Sequence, residues 1–228
     1  MKILAVDTTT GSASVAILED GRLRAEAGVD VFGTQSTRLL ATINLLLDSL
    51  RLSIRDMDGF AVSPGPGSFT GIRIGLSTVQ SFAFASGKPI APVSSLKALA
   101  WKERPFHETL SLVCPILDAK KAEVYGALYE FRRGTVTEVI AQGNFEPEKF
   151  FSLLPKSRVI LFAGNGTALF GDRIRARFKD KARFSSRTFF IAHELGLLGA
   201  EILAAGAGVA SDDLAPLYFR RSQAEEGR

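Results

Sequence analysis

Lys2–Ala27 reads KILAVDTTTGSASVAILEDGRLRAEA. Lys2–Asp7 is a short apolar run that ends on a carboxylate, the pattern of a buried central strand. Ala13–Leu18 is a second such run and Arg22–Ala27 a third. Asp20-Gly21 between them predicts a tight hairpin turn, because both residues tolerate positive φ. Outward from these three antiparallel strands the period changes. Leu39, Ile43, Leu46 and Leu50, with Leu40 and Leu47, predict a helix over Ser36–Arg51. A strand at Phe60–Ser63, a helix at Thr70–Ser86, a strand at Ile90–Val93 and a helix at Ser94–Arg104 follow.

The same order then recurs. Leu110–Asp118 (LSLVCPILD) again ends on Asp, and Glu123–Phe131 and Thr135–Ala141 follow as strands. A helix near Pro147–Leu154, a strand at Val159–Ala163 and a helix opened by Gly164-Asn165-Gly166 come next. Phe170, Ile174 and Phe178 keep that helix going to about Asp180, before a short strand at Ala182–Phe184 and a last helix over Phe189–Ala205. The repeat spans about 110 residues. The fold class is therefore α/β, with two mixed sheets flanked by helices. The expected division is residues 1–106 and residues 107–228, with the boundary in Pro105–Glu108.

Composition narrows the function classes. Hydrophobic residues are 46% and charged residues 23% of the 228, which excludes a disordered chain, a collagen or a coiled coil. A single cysteine, Cys114, allows no intrachain disulfide and fits a reducing compartment, so a cytoplasmic location is expected. Cys114 itself, in an apolar strand before Pro115, reads as an inert core thiol. Met1-Lys2 leads straight into a strand instead of a signal peptide. Phe189–Ala210, the most apolar stretch, carries His193, Glu194 and Glu201 and reads as a core helix, not a membrane span. With only two histidines, His107 and His193, most imidazole chemistry is out of reach. His193-Glu194 opens a zinc-protease pattern, but Leu197 stands where its second His belongs.

Two turns carry the remaining chemistry. Asp7 followed by Thr8, Thr9 and Thr10 can offer hydroxyls and amides to a phosphate while the carboxylate holds a metal through water; the plain alternative is a hairpin whose polar groups satisfy one another. Asp118 closes the matching strand of the repeat. The loop Gly65-Pro66-Gly67-Ser68-Phe69-Thr70-Gly71 sits at a strand-to-helix junction, where anions meet helix N-termini. It matches neither common phosphate signature, and its prolines remove two N–H donors. Ser68 or Thr70 is expected to cap the helix. Lys156–Arg187 holds nine Lys/Arg against two acids. Arg173, Arg177, Lys179 and Lys181 are its candidate tRNA-facing residues, with a solvated helix face as the alternative.

Together these residues resemble the TsaB (formerly YeaZ) family of tRNA threonylcarbamoyladenosine biosynthesis proteins. KILAVDTTT from Lys2, GPGSFTGIRIG at Gly65–Gly75, DAKKAEVY at Asp118–Tyr125 and PLYFR at Pro216–Arg220 carry the resemblance, which spans nearly the whole chain. It implies two ribonuclease-H-like domains in tandem, the actin/hexokinase/Hsp70 architecture. It also implies a degenerate paralogue of TsaD, the threonylcarbamoyl-transferring subunit. TsaD-like proteins carry a metal-binding His-x-x-x-His pair whose positions match Ser95 and Leu99 here, and neither can replace a metal-bound imidazole. Gln35 stands where family members often have His.

The resemblance implies a non-catalytic subunit that pairs with TsaD, is helped by the ATPase TsaE, meets tRNA through the complex and forms a homodimer when alone. No metal or catalytic residues are assigned. No tightly bound cofactor is expected, and ATP or ADP only in the assembled complex. The competing reading is a small-molecule kinase or ATPase of the same superfold using Asp7 and Asp118; a metallopeptidase or an RNA-binding module are more distant rivals. A chain without its own chemistry acts through a surface. The expected one lies on the first lobe's helices, at Leu45, Gly71, Gly75 and Thr78, unless those small residues merely seat the helix on its own sheet.

Overall fold

The computed structural model describes residues 1–10, 12–30, 35–104, 111–132 and 135–219. Strands β1 (Lys2–Asp7), β2 (Ser12–Glu19) and β3 (Arg22–Asp30) are antiparallel neighbours, and Asp20 and Gly21 take the positive φ values their turn requires (49° and 73°). Helix α1 (Gln35–Leu50), strand β4 (Gly59–Val62), helix α2 (Phe69–Ser86), strand β5 (Ile90–Pro92) and helix α3 (Ser95–Lys102) follow. β4 lies parallel to β1 and β5 parallel to β4, so the first sheet runs β3-β2-β1-β4-β5.

The second sheet repeats this order. β6 (Leu112–Asp118), β7 (Val124–Arg132) and β8 (Thr135–Phe145) are antiparallel; β9 (Ile160–Ala163) lies parallel to β6, and β10 (Ala182–Phe184) to β9. Its order is β8-β7-β6-β9-β10. Helices α4 (Pro147–Leu153) and α5 (Gly166–Phe178) bring Phe150, Phe151, Phe170 and Phe178 onto Cys114, Ile116 and Phe162 to form its core. A short turn at Lys179–Lys181 separates α5 from β10, as the spacing of Phe170, Ile174 and Phe178 predicts.

The last helix, α6 (Ala192–Ala204), departs from a simple halving of the chain. Among the described residues the compact units are Met1–Ala98 with Phe190–Tyr218, and Leu99–Phe189 with Phe219, instead of 1–106 and 107–228. Strands in the first sheet alternate sides. Leu4, Val6, Val15, Ile17, Phe60 and Val62 pack with α1 and α2, while α6 covers the opposite face. Two glycines permit the approach: a Cβ on Gly196 would strike Leu18 Cδ1, and one on Gly199 would lie 2.6 Å from the Ala61 Cβ. The end of α3 goes to the second unit instead, where Trp101 meets Phe131 with ring centroids 6.3 Å apart. No helix among the described residues is long and apolar enough to cross a membrane.

Ser14, buried on β2, fixes the start of α6. Its hydroxyl oxygen accepts from the backbone amides of Ile191 (3.2 Å) and Ala192 (3.1 Å). These are amides a helix N-terminus leaves unpaired. Ser14→Ala strands both in an apolar setting, at a cost of about 1–3 kcal/mol. The urea midpoint should fall accordingly; an unchanged midpoint would show that these amides do not depend on Ser14.

Candidate functional site

β1 ends on Asp7, and its carboxylate turns back on its own chain. Asp7 Oδ1 accepts from the Thr9 amide (3.1 Å) and the Thr9 hydroxyl (2.8 Å). The Thr8 hydroxyl donates to the Gly71 carbonyl (2.7 Å), and the Thr10 hydroxyl to the Ser12 carbonyl (3.2 Å). Thr9 in turn gives its carbonyl to the Ser68 amide (2.7 Å). All four residues of the turn are buried. The three hydroxyls that a phosphate would need are thus already engaged by the protein.

The Gly65–Gly71 loop supplies the lid of this turn. A Cβ on Gly71 would collide with the Thr8 carbonyl oxygen, and one on Gly75 with the Thr8 hydroxyl. Glycine at these two positions lets the first turns of α2 lie directly on the Thr8 backbone. Gly65 has a φ of 126°, open to glycine, and a Cβ there would sit 2.8 Å from the Leu217 carbonyl oxygen. Ser68 caps α2, its hydroxyl accepting from the Gly71 amide (3.3 Å). Behind the loop, Ser95 is fully buried, donates from Oγ to the Pro66 carbonyl (2.6 Å), and gives its amide to Gly65 O (3.0 Å). Leu99, one turn later, is buried as well.

A family described as TsaD, tRNA N6-adenosine threonylcarbamoyltransferase, matches residues 34–227. A Bacillus subtilis protein named tRNA threonylcarbamoyladenosine biosynthesis protein TsaB is 31% identical over 99% of this chain and 96% of its own length. The chain belongs to the TsaB family. The solved structure of YeaZ from Pseudomonas aeruginosa superposes with a TM-score of 0.83 at 29% identity, covering 95% of this chain and 99% of that one. The Acidaminococcus fermentans (R)-2-hydroxyglutaryl-CoA dehydratase component A gives a TM-score of 0.54 at 11% identity, over 90% of this chain and 99% of that one. That likeness is one of fold alone. It agrees with the actin/hexokinase-like architecture that the TsaB resemblance implies.

In the second lobe of this TsaB-family chain, Asp118 is bound up locally. Its carboxylate accepts from the Lys120 amide and from Lys120 Nζ, both at 2.7 Å, and its amide donates to Asn165 Oδ1 (3.0 Å). Lys120, Lys121 and Ala122 all take left-handed backbone conformations, a strained run for residues with a Cβ. The turn is tied by Glu123 N to Lys120 O (2.9 Å). Asp7 and Asp118 lie in different compact units.

The other candidate residues separate into inward and outward groups. Gly71 and Gly75 face Thr8 and not a surface, so the small-residue stripe seats α2 on its own sheet. Thr78, half-buried, donates to Ile74 O (2.8 Å). Leu45 does face outward, 65% exposed, and so does Phe84 on α2 at 78%, which the sequence reading missed. On the basic stretch, Arg177 Nε donates to Phe151 O (3.0 Å), Lys181 pairs with Asp180 (3.2 Å) and Arg173 reaches Glu148 only at 4.0 Å; Lys179 ends α5 with a φ of 49°. Part of that charge is therefore used within the lobe. Burial pushes the Cys114 thiol well up, as expected of a core thiol. His107 and the Gln35 side chain lie outside the described residues.

Burial also raises the Asp7 carboxyl from 3.8 to about 6, against the opposing hydrogen bonds from Thr9 and Thr8. The folded state therefore holds this proton more tightly than the unfolded chain does. Its stabilising contribution is complete below pH 3.8 and is lost as pH rises through 6. Asn at position 7 still accepts from Thr9 but carries no charge. Asp7→Asn should raise stability at pH 7.5 by up to about 3 kcal/mol and flatten the pH 4–7 slope of the urea midpoint. A variant less stable than wild type at pH 7.5 would contradict the assignment.

Proposed function

We propose that the chain is a non-catalytic subunit of the tRNA threonylcarbamoyl-transferase complex, pairing with TsaD to form threonylcarbamoyladenosine beside the tRNA anticodon. Membership in the TsaB family supports the pathway. The self-filled Thr8–Thr10 turn supports the absence of independent chemistry, because its hydroxyls donate to Gly71, Asp7 and Ser12. Ser95 and Leu99 support it too: TsaD-like relatives resemble one another in having histidines there, whereas here one hydroxyl holds Pro66 O and one side chain fills the core.

The action is then through a surface. Leu40 and Leu45 on α1 and Phe84 on α2 leave apolar area uncovered in the first unit. These helices contact one another and form the proposed TsaD-facing side, which a second copy of the chain occupies when TsaD is absent. TsaE and tRNA join through the assembled complex in the cytoplasm, and ATP or ADP binds only there.

The deciding experiment is co-purification with TsaD and a tRNA-modification assay with and without this chain. Modification should require the chain. Leu45→Glu, at an exposed site, should melt like wild type yet weaken TsaD association at least about tenfold, since an interface does not bury an unpaired charge cheaply. Full modification without the chain would overturn the reading. Undiminished pairing of Leu45→Glu would move the interface off α1.

A further inference from the structure

After α6 the chain returns to the first sheet. Ile90 and Val209 exchange both backbone hydrogen bonds (2.9 and 2.8 Å) at its β5 edge. From there the backbone runs along α2 in the reverse direction. Gln80 Nε2 donates to the carbonyls of Ser211 (3.0 Å) and Leu214 (3.1 Å), and the Leu214 side chain is buried in the first core. Leu217 N donates to Pro64 O (2.8 Å).

The run ends on an aromatic clamp. Tyr218 stacks on Phe69, the first residue of α2, with ring centroids 4.9 Å apart. Arg73, one turn along, donates from Nε to the Tyr218 hydroxyl (3.2 Å) and lays its guanidinium 4.0 Å above the Phe69 ring. Phe69 is thus gripped between Arg73 of its own helix and Tyr218 of the returning segment. The same helix start is also seated on the turn after β1, where the Ser68 amide donates to Thr9 O (2.7 Å) and the Thr8 hydroxyl to Gly71 O (2.7 Å), and is capped by the Ser68 hydroxyl (3.3 Å). Helix ends fray unless tertiary contacts hold them.

We propose that Leu214–Tyr218 is a positioning strap for α2: by clamping Phe69 and Arg73, Tyr218 locks the helix start that Thr8 and Thr9 seat, and hence which face α2 offers to TsaD. The strap touches α2 at Gln80 and again at Phe69 and Arg73, so it sets the helix at two points over three turns. Tyr218 is 38% exposed, so its loss loosens one helix end and leaves the core in place. The inference rests on the reading of α1 and α2 as the TsaD-facing side.

Tyr218→Ala and Tyr218→Phe in the full chain test it by amide hydrogen exchange and by TsaD pull-down. In Tyr218→Ala, exchange at Ser68, Gly71 and Ile72 should speed up about tenfold, while second-sheet amides and the melting temperature stay close to wild type. TsaD association should weaken in parallel. Tyr218→Phe keeps the ring stack and should recover most of both. Unchanged exchange in Tyr218→Ala overturns the strap, and so does faster exchange with undiminished TsaD association. A wild-type chain that fails to bind TsaD overturns the functional reading instead; the exchange measurement, made on the free chain, still decides whether Tyr218 holds α2.

Discussion

The carbonyl of Thr8 lies where a side chain on Gly71 would have to be, and the first lobe is arranged around that contact. It brings the α2 backbone onto the turn that ends β1. The Thr8 hydroxyl then has Gly71 O as its acceptor, and Thr9 O has the Ser68 amide as its donor. With these bonds in place the turn is buried, and burial holds the Asp7 carboxyl above the usual carboxylate range, at about 6. A single close approach therefore shuts the polar turn and sets the position of the helix proposed to meet a partner.

The second lobe repeats the topology with a different outcome. There too glycines let a helix start close to the central strand: a Cβ on Gly166 would lie 3.0 Å from Ile116 O. The contact is with the strand itself and not with the turn beyond it. Asp118, at the end of β6 as Asp7 is at the end of β1, is only half-buried and pairs with Lys120 beside a turn of three left-handed residues. Duplicated folds diverge in such loop-level details while their layers persist.

Period and punctuation made most of the architecture legible in the sequence. Alternation through Lys2–Ala27, the Asp20-Gly21 turn and the four-residue spacing of Phe170, Ile174 and Phe178 each specify a local structure that the tertiary fold keeps. What stayed hidden depends on pairings far apart in the chain. Ser14 meets Ile191 across 177 residues and Arg73 meets Tyr218 across 145, and no local pattern encodes either. The repeat suggested that α6 belongs with the second lobe. Gly196 and Gly199, one helical turn apart, are a signal that it lies close against a sheet, but not of which sheet. Gly71 and Gly75 posed the same ambiguity: small residues permit close approach on whichever side they face. The Asp7–Thr10 turn was recognisable as polar and compact, whereas its self-satisfaction required the loop from Gly65 to be in place.

Nucleotide binding by the isolated chain separates a closed turn from an open phosphate site, because the two differ in what they can offer ATP. A micromolar dissociation constant corresponds to about −8.2 kcal/mol, and hydroxyls already donating to Gly71, Asp7 and Ser12 have no hydrogen bond left to give a phosphate. Titration calorimetry with ATP and magnesium should show no saturable binding in the low-micromolar range. Stoichiometric low-micromolar binding that disappears in Asp7→Asn would contradict the account and favour a nucleotide-dependent enzyme of the same fold.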